Sequence, residues 1–290
     1  MPSFTYIGAP IDSVGRNGGA ELSPSTLRHL GLPAALGGPD QGDLPLRIRG
    51  DERDPETGLL ASADVLAATT AIRAKVAEQI GAGARPFVAG GCCAALPGAL
   101  AGARDALGGI GLVHLDGHQD LYDGRTSLTG EAAEMPVSVA LGLGPEAWVE
   151  AAGGASVASD RAALVGFRDR EESIEDGMRQ PQQISPPPLL RPLEDLRAAG
   201  PGAAAAEVAE DLAAAGPFWL HFDVDVLDSG AFPATDYLQP DGLSWEELRA
   251  TIGPLLASPA LAGASLGCYN PEKDPGLACG RQLVNVLAAA

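Results

Sequence analysis

Short apolar runs that alternate with longer alanine-rich segments constrain the fold of this chain more than any other feature. Several of the runs are continuously apolar, which is typical of strands buried on both faces of a parallel sheet. The segments between them have the composition and spacing of helices. This order predicts an α/β fold in which helices cover a parallel sheet. The predicted strands are FTYIGAP, RPFVAGG, IGLVHLDG, RAALVGF, PFWLHFDVDV and LAGASLGCYN, and the predicted helices are 62–82, 93–107, 134–143, 203–215 and 244–257.

No linker or change of composition divides the chain. Its 290 residues exceed an average domain, but α/β folds reach this length as single units. Glycine and proline occur throughout, and the segments 40–58 and 181–192 have the character of surface loops. We therefore expect one domain spanning residues 1–290, without an internal repeat.

The charge and the cysteine content argue against several classes of protein. A formal net charge of −19 disfavours binding to nucleic acid and to anionic membranes, since both require a surplus of lysine and arginine. No secretion signal is evident, and no apolar run reaches the roughly 18 residues of a membrane-spanning helix. Four cysteines, two of them adjacent, are too few for a disulfide framework. We expect a cytoplasmic protein.

Two acidic segments directly follow two of the predicted strands. One is DGHQD, with Asp116, His118 and Asp120, and the other is HFDVDVLD, with Asp223 and Asp225. Ligands of open α/β sheets collect beyond the carboxyl ends of the strands, and residues two apart in an extended segment point the same way. Each segment can therefore present its polar side chains to one site.

The carboxylates of these two segments would repel one another strongly if they met without cations. A pair of divalent metal ions removes this repulsion, and sites with two metals activate water. Each segment has an ordinary alternative explanation, because Asp-x-Asp pairs often cap turns and a single histidine is often structural. Since two such clusters occur at strand ends of one chain, we predict a metal site.

These residues resemble motifs of the arginases and related ureohydrolases. DGHQD resembles the family's D-A-H-x-D, and HFDVDVLD resembles S-F-D-x-D-x-L-D-P. IGAPIDSVGRNGGAELSPSTLRHLGL is similar to the N-terminal G-A-P-x-D…G-P-x-x-L-R segment. GGCCAALPGAL takes the place of G-G-D-H-S, VGFRD that of G-x-R-D, and CYNP that of E-x-N-P. The resemblance extends over nearly the whole chain.

The resemblance implies a three-layer α/β/α fold with a mainly parallel sheet of about eight strands, assembled into homo-oligomers, either trimers or hexamers. It also implies two Mn²⁺ ions and hydrolysis of a guanidino or amidino carbon in a small molecule. One ion would be bound by Asp116, Asp120, Asp223 and Cys93, and the other by His118, Asp116, Asp223 and Asp225. Asp116 and Asp223 would bridge the ions. A hydroxide held between the ions would attack the substrate, and Asp120 would carry a proton to the departing amine.

Two cysteines depart from the family's pattern. Cys93 replaces the ligand histidine of G-G-D-H-S, and a thiolate shifts the metal preference from Mn²⁺ toward Zn²⁺ or Fe²⁺. A buried, apolar cysteine is the alternative for Cys93, and we expect Cys92 to point away. Cys268 replaces the glutamate of E-x-N-P, which removes a charged contact to a guanidinium and favours a substrate that is less basic, such as an N-hydroxyguanidine, or differently shaped. A bond between Cys93 and Cys268 on oxidation is a further hypothesis.

The loop after Asp120 also departs from the family, because Ala133 stands where a proton-shuttling histidine is expected. The resemblance maps substrate recognition onto Tyr122 and Thr129 in this loop and onto Glu171 after VGFRD. Glu134 and Glu171 could equally be solvated surface charges. The residues predicted to bind the substrate are Tyr122, Thr129, Glu134, Glu171 and Cys268.

Taken together, the motifs predict a metal-dependent hydrolase of the arginase, hydroxyarginase or agmatinase type. The alternative is a catalytically retired member of the fold with a binding or regulatory role, which the losses at positions 93, 133 and 268 suggest. The retained aspartates and His118 favour the enzyme, since clustered carboxylates without a metal are costly to bury.

Overall fold

A computed structural model describes residues 3–13 and 18–289. Residues 14–17 of the N-terminal arginase-like segment lie outside the described residues. Eight strands form one sheet in the order β2-β1-β3-β8-β7-β4-β5-β6, and every neighbouring pair is parallel. The strands are β1 Phe4–Ala9, β2 Gly37–Asp43, β3 Pro86–Gly90, β4 Gly111–Leu115, β5 Ala162–Val165, β6 Leu189–Arg191, β7 Phe218–Asp223 and β8 Leu261–Gly267.

All six predicted strands are confirmed, and the two strands that the sequence did not predict are the two edges of the sheet. β2 overlaps the segment 40–58 and β6 lies in the segment 181–192, so the interpretation of both segments as surface loops was wrong in part. Neither edge strand contains a fully buried residue. An edge strand has one neighbour and need not be apolar, so β2, with the sequence GGPDQGD, shows no hydrophobic pattern.

Helices cover both faces of the sheet, which confirms the predicted three-layer fold. All five predicted helical segments contain helix, and shorter helices at 23–35, 146–151, 170–175 and 193–199 and a C-terminal helix were not predicted. The helices are α1 Ser23–His29, α2 Leu32–Ala35, α3 Ser62–Gly81, α4 Leu96–Leu107, α5 Pro136–Ala140, α6 Glu146–Ala151, α7 Arg170–Glu175, α8 Leu193–Ala199, α9 Pro201–Ala215, α10 Trp245–Ala257 and α11 Ala278–Ala289. None of the described helices combines the length and apolar character needed to cross a membrane.

The core lies between the sheet and the helices and consists mainly of alanine, leucine and valine. The few large aromatic side chains in it require small partners. A Cβ atom added at Gly263 on β8 would lie 2.3 Å from the ring of Trp219 on the neighbouring β7, so this glycine leaves room for the indole. The Trp219 indole N–H donates to the Ser265 hydroxyl at 2.9 Å. This packing fixes the centre of the sheet, where the polar cluster described next begins.

Candidate metal centre

Four adjacent strands in the middle of the sheet, β3, β8, β7 and β4, bring the polar residues together. Asp116 follows β4, and Asp223 is the last residue of β7. Cys93 begins a short 3₁₀ turn after β3, and Cys268 directly follows β8. Because the strands are parallel, all four residues lie at the same, carboxyl edge of the sheet.

Backbone N–H groups hold one oxygen of each of three buried aspartates. The N–H of His118 donates to Asp116 Oδ1 at 2.7 Å, and the N–H of Asp225 donates to Asp223 Oδ1 at 2.8 Å. The N–H of Gly117 donates to Asp225 Oδ1 at 3.1 Å. The second oxygen, Oδ2, of each carboxylate faces other members of the cluster. The carboxylates are therefore oriented, with one oxygen left to act as a ligand.

Three overlapping groups of side chains have ligand atoms within 4.8 Å of one another, as a metal ion requires. Asp116 belongs to all three groups, and its bridging role stays a prediction. Asp120 is grouped with His114, whereas the predicted ligand set placed it with Cys93. The groups are Cys93, Asp116, His221 and Asp223; His114, Asp116 and Asp120; and Asp116, His118 and Asp225.

His118 is positioned to offer Nδ1 to a metal ion. This atom lies 3.1 Å from Asp225 Oδ2 and 3.5 Å from Asp116 Oδ1, while Nε2 lies 2.8 Å from the side-chain amide nitrogen of Gln239. The amide oxygen of Gln239 is buried without a hydrogen-bond partner among the described residues. Rotation of the amide by half a turn would let this oxygen accept from His118 Nε2–H, which leaves the Nδ1 lone pair for a metal.

The structure adds two buried histidines that the sequence analysis did not assign, His114 on β4 and His221 on β7. They are opposite each other in the strand register, and their rings stack with centroids 5.4 Å apart and an interplanar angle of 8°. Each lies two residues before an aspartate of the cluster and so points to the same face of its strand. This spacing was the signal by which the sequence could have identified both residues.

Burial and neighbouring charges shift the pKa values of several groups in the centre. Burial alone would lower the pKa of His114, but Asp116 and Asp120 raise it to about 10. Burial, reinforced by the charge of His114, lowers the pKa of His221 to about 3. Burial and the charge of Asp116 raise the pKa of Asp120 to about 7. Burial also raises the pKa of the Cys93 thiol, so a thiolate at this position requires a cation beside it.

A cavity of about 270 Å³ opens over the cluster. Four of the five predicted substrate residues line it, namely Tyr122, Thr129, Glu134 and Cys268. Glu171 does not line it and lines a neighbouring groove, whereas the adjacent Glu172, which is also exposed, lines both. The Thr129 hydroxyl donates to Glu134 at 2.6 Å, so two of these residues support each other.

The two cysteines that depart from the arginase motifs are neighbours in space. Cys93 Sγ and Cys268 Sγ lie 3.6 Å apart, and Cys93 Sγ lies 2.5 Å from Asp223 Oδ2. Cys92 does not line the cavity and belongs to none of the three ligand groups. The structure thus places Cys93, but not Cys92, among the candidate ligands.

The GFRD segment after β5 makes hydrogen bonds that hold the backbone of the centre in place. Arg168 Nη2 donates to the backbone carbonyl of Asp225 at 2.8 Å. Asp169 accepts from the N–H of Gln119 at 3.0 Å and from its side-chain amide at 2.9 Å. These contacts fix the backbone on either side of His118 and Asp225. Sequence reasoning assigned no role to Arg168, Asp169 or Gln119.

The fold and the cluster together define a three-layer α/β protein with a carboxylate-rich candidate metal centre at the carboxyl edge of its sheet. The model of the arginase family matches residues 3–289. The chain therefore belongs to the arginase family, and the resemblance seen in its motifs is confirmed.

Known relatives share modest sequence identity with the chain. It is 26% identical to the arginase of Bacillus subtilis (strain 168) over 291 residues, which covers 98% of this chain and 96% of the relative. It is 34% identical to the N(omega)-hydroxy-L-arginine amidinohydrolase of Streptomyces lavendulae over 163 residues, or 56% of this chain and 52% of the relative. The solved structure of the Bacillus caldovelox arginase covers the whole chain (100%, and 98% of its own length) with a TM-score of 0.87 at 22% identity, which shows a common fold.

Proposed function

We propose that this protein is an amidinohydrolase that uses two divalent metal ions to cleave a C–N bond of a small guanidino or amidino compound. One observation carries the proposal: four buried aspartates, His118 and Cys93, which are far apart in sequence, converge on one cavity. Membership in the arginase family supports the same reaction class. The similarity to an arginase and to an N(omega)-hydroxy-L-arginine amidinohydrolase supports it as well.

The donor set fits two cations. The buried carboxylates of Asp116, Asp223 and Asp225 each keep one oxygen free of the backbone, and burying them together without cations is unfavourable. Oxygen donors with one imidazole suit Mn²⁺ at the position of His118, while the sulfur of Cys93 favours Zn²⁺ or Fe²⁺ at the other. Two such ions, when bound, would lower the pKa of a water molecule enough to make it a nucleophile at neutral pH.

The protein's own residues would orient the reactants and move a proton. Asp116 and Asp223, each held by a backbone N–H, would fix the relative position of the two cations. Asp120 lines the cavity, and its Oδ2 lies 3.4 Å from His114 Nε2, outside a well-formed hydrogen bond. This oxygen is available to accept a proton and to deliver it to the departing amine.

The cavity favours a substrate with a positive charge. Besides the candidate ligands, Glu134, Glu172 and Asp176 line it, and its described lining contains no lysine or arginine. Tyr122 donates to Asp176 at 3.0 Å and is proposed, with Thr129 and Glu134, to contact the substrate. Glu172 is proposed for the role predicted for Glu171, and Cys268 would replace a charged contact to the guanidino group by a neutral one.

The proposal is tested by assaying urea or the corresponding amide product from purified protein loaded with Mn²⁺, Zn²⁺ or Fe²⁺. The substrates should include L-arginine, N(omega)-hydroxy-L-arginine and amines that carry a guanidino or amidino group. Asp223→Asn should abolish turnover, because it removes a ligand proposed for both ions, and it should lower the bound metal. Asp211→Asn, an exposed residue of α9, is the matched control and should behave as wild type.

Elemental analysis of protein purified without chelator distinguishes the proposed enzyme from the alternative, a member of the fold that has lost its catalytic activity. About two ions per chain are expected for a two-metal hydrolase. Protein that binds no divalent ion and releases no product from any substrate of the panel would contradict the proposal and support the alternative, a binding or regulatory role.

A further inference from the structure

We propose that His221 is a metal ligand, and that with Cys93, Asp116 and Asp223 it forms a four-donor site selective for a zinc-type ion. The inference rests on the proposed function, since it concerns the same centre. The arginase-like motif does not provide a histidine at this place, because position 221 corresponds to the serine of S-F-D-x-D.

The ligand atoms of the four residues all lie within 4.8 Å of one another. His221 Nε2 lies 3.2 Å from Cys93 Sγ, and Asp223 Oδ2 lies 2.5 Å from the same sulfur. Asp116 Oδ2 lies 3.9 Å from it, and all four residues are buried. Thiolate sulfur, imidazole nitrogen and carboxylate oxygen are each donors that zinc takes in proteins.

The surroundings of His221 hold its ring in the orientation that a ligand needs. Nδ1 lies 2.7 Å from the Ser265 hydroxyl oxygen, which already accepts from the Trp219 indole N–H. The oxygen has a second lone pair for His221 Nδ1–H, and in that tautomer the Nε2 lone pair points toward Cys93. Stacking on His114 fixes the plane of the ring.

His221 restores the imidazole that position 93 lacks. The arginase-like motif would supply a histidine after β3, whereas this chain supplies a cysteine there and a histidine from β7, two strands away across the sheet. A thiolate with an imidazole is a softer donor pair than an imidazole among carboxylates. The Cys93 position should therefore select Zn²⁺ or Co²⁺, while the His118 and Asp225 position keeps an oxygen-rich set suited to Mn²⁺.

Cobalt titration of the full-length protein tests the assignment without relying on activity. One equivalent of Co²⁺ should give a thiolate-to-cobalt absorption band in the near ultraviolet, together with the visible bands of a four-coordinate ion. Cys93→Ser should remove the near-ultraviolet band. His221→Asn should alter the visible bands and weaken binding more than about 100-fold, beyond the usual loss from a residue that only supports a ligand.

Two further variants calibrate this effect. Ser265→Ala, which removes only the partner of Nδ1, should weaken Co²⁺ binding by about 10- to 100-fold. His29→Ala removes an exposed imidazole on α1 and should leave the spectrum and the affinity unchanged. A His221→Asn protein with the wild-type spectrum and affinity would overturn the assignment, even if the enzyme proves active with two ions.

X-ray absorption at the zinc edge decides the question if His221→Asn fails to fold. His118→Asn protein loaded with one equivalent of Zn²⁺ should show sulfur and imidazole in the same zinc shell. Sulfur without imidazole would refute the role of His221 and leave the proposed function intact. Wild-type protein that binds Mn²⁺ but neither Co²⁺ nor Zn²⁺ would refute the zinc-type site and leave the proposed function intact, whereas protein that binds no divalent ion and turns over no substrate would refute the proposed function itself.

Discussion

Asp116 is the residue on which the candidate centre depends most. Its Oδ1 accepts a backbone N–H, and its carboxylate belongs to every group of potential ligands that the structure brings together. Two other members of the cavity, Asp120 and Cys268, have left-handed backbone conformations, with φ of 53° and 66°. Such conformations are unfavourable for residues other than glycine and concentrate at functional sites, where the surrounding structure enforces them.

The pair Cys93 and Cys268 should form a disulfide when the metal-free protein is oxidised by hydrogen peroxide, slowly at neutral pH and faster at alkaline pH, because burial raises the pKa of the Cys93 thiol and peroxide reacts with the thiolate. The sulfur atoms lie 3.6 Å apart and would have to approach to about 2 Å to form the bond. Two thiols would each lose a hydrogen atom, and the peroxide would be reduced to water. Intact mass should fall by two hydrogen atoms, and metal binding should be lost until a thiol reductant restores it.

Cys92→Ala should behave like the wild type in this oxidation, because Cys92 lies outside the cavity. A metal ion bound to Cys93 should slow the reaction, since its sulfur is then engaged. If both Cys93 and Cys268 remain open to alkylation after exposure to peroxide, the pair does not form a disulfide.

The pairing of the neighbouring strands β4 and β7 sets how the two acidic segments are aligned with each other. Their register places His114 beside His221 and Leu115 beside Phe222, so the acidic segments that follow begin at the same level. Helix α4 begins three residues after Cys93 and packs closely against α3. The position of Cys93 therefore depends on how these two helices meet.

Gly102→Ala should lower the free energy of unfolding by about 1–3 kcal/mol, as is usual when a tight core is overpacked. A Cβ atom there would lie 2.4 Å from the backbone carbonyl oxygen of Arg73 on α3, which cannot move without displacing its helix. Denaturant unfolding measures the change. Because α4 follows Cys93, the variant should also bind Co²⁺ more weakly than wild type.

Gly81→Ala, at the C-terminal end of α3, is the matched control. Beyond its own helix and chain neighbours, none of the described residues has an atom within 4 Å of the added methyl group, and alanine favours a helix by up to about 1 kcal/mol over glycine. It should leave stability unchanged or slightly raised. Equal stability of the Gly102→Ala and Gly81→Ala proteins would show that the helices do not meet as closely as described.

The order of strands in the whole sheet assembles residues that the chain keeps far apart. Cys93 and Cys268 are separated by 175 positions, yet β3 and β8 are adjacent. A parallel sheet needs a crossover between neighbouring strands, so each strand end can carry a different part of the site. This arrangement explains how four short segments form one centre.

The chain should assemble into trimers or hexamers, a prediction that rests on the family resemblance. Analytical ultracentrifugation should give a mass three or six times that of the chain. Since each chain carries a net charge of −19, assembly should strengthen as salt screens the repulsion between copies. A monomer at every concentration and salt level would contradict the prediction.

The sequence by itself determined the features that depend on near neighbours along the chain. Six buried strands were predicted because continuous apolar runs reflect burial on both faces, and all six are present. The aspartates at the ends of β4 and β7 were identified because spacing by two residues fixes which side chains share a face. Membership in the arginase family also followed from these short motifs.

Only the tertiary structure decided which distant side chains meet. The edge strands β2 and β6 carry too little apolar pattern to be predicted, since they gain their stability from pairing with one neighbour. That Glu172 and not Glu171 reaches the cavity depends on how α7 packs. That His221 meets Cys93 depends on strand order and register. The packing of the entire core determines which of these distant side chains meet, and no short stretch of sequence determines it alone.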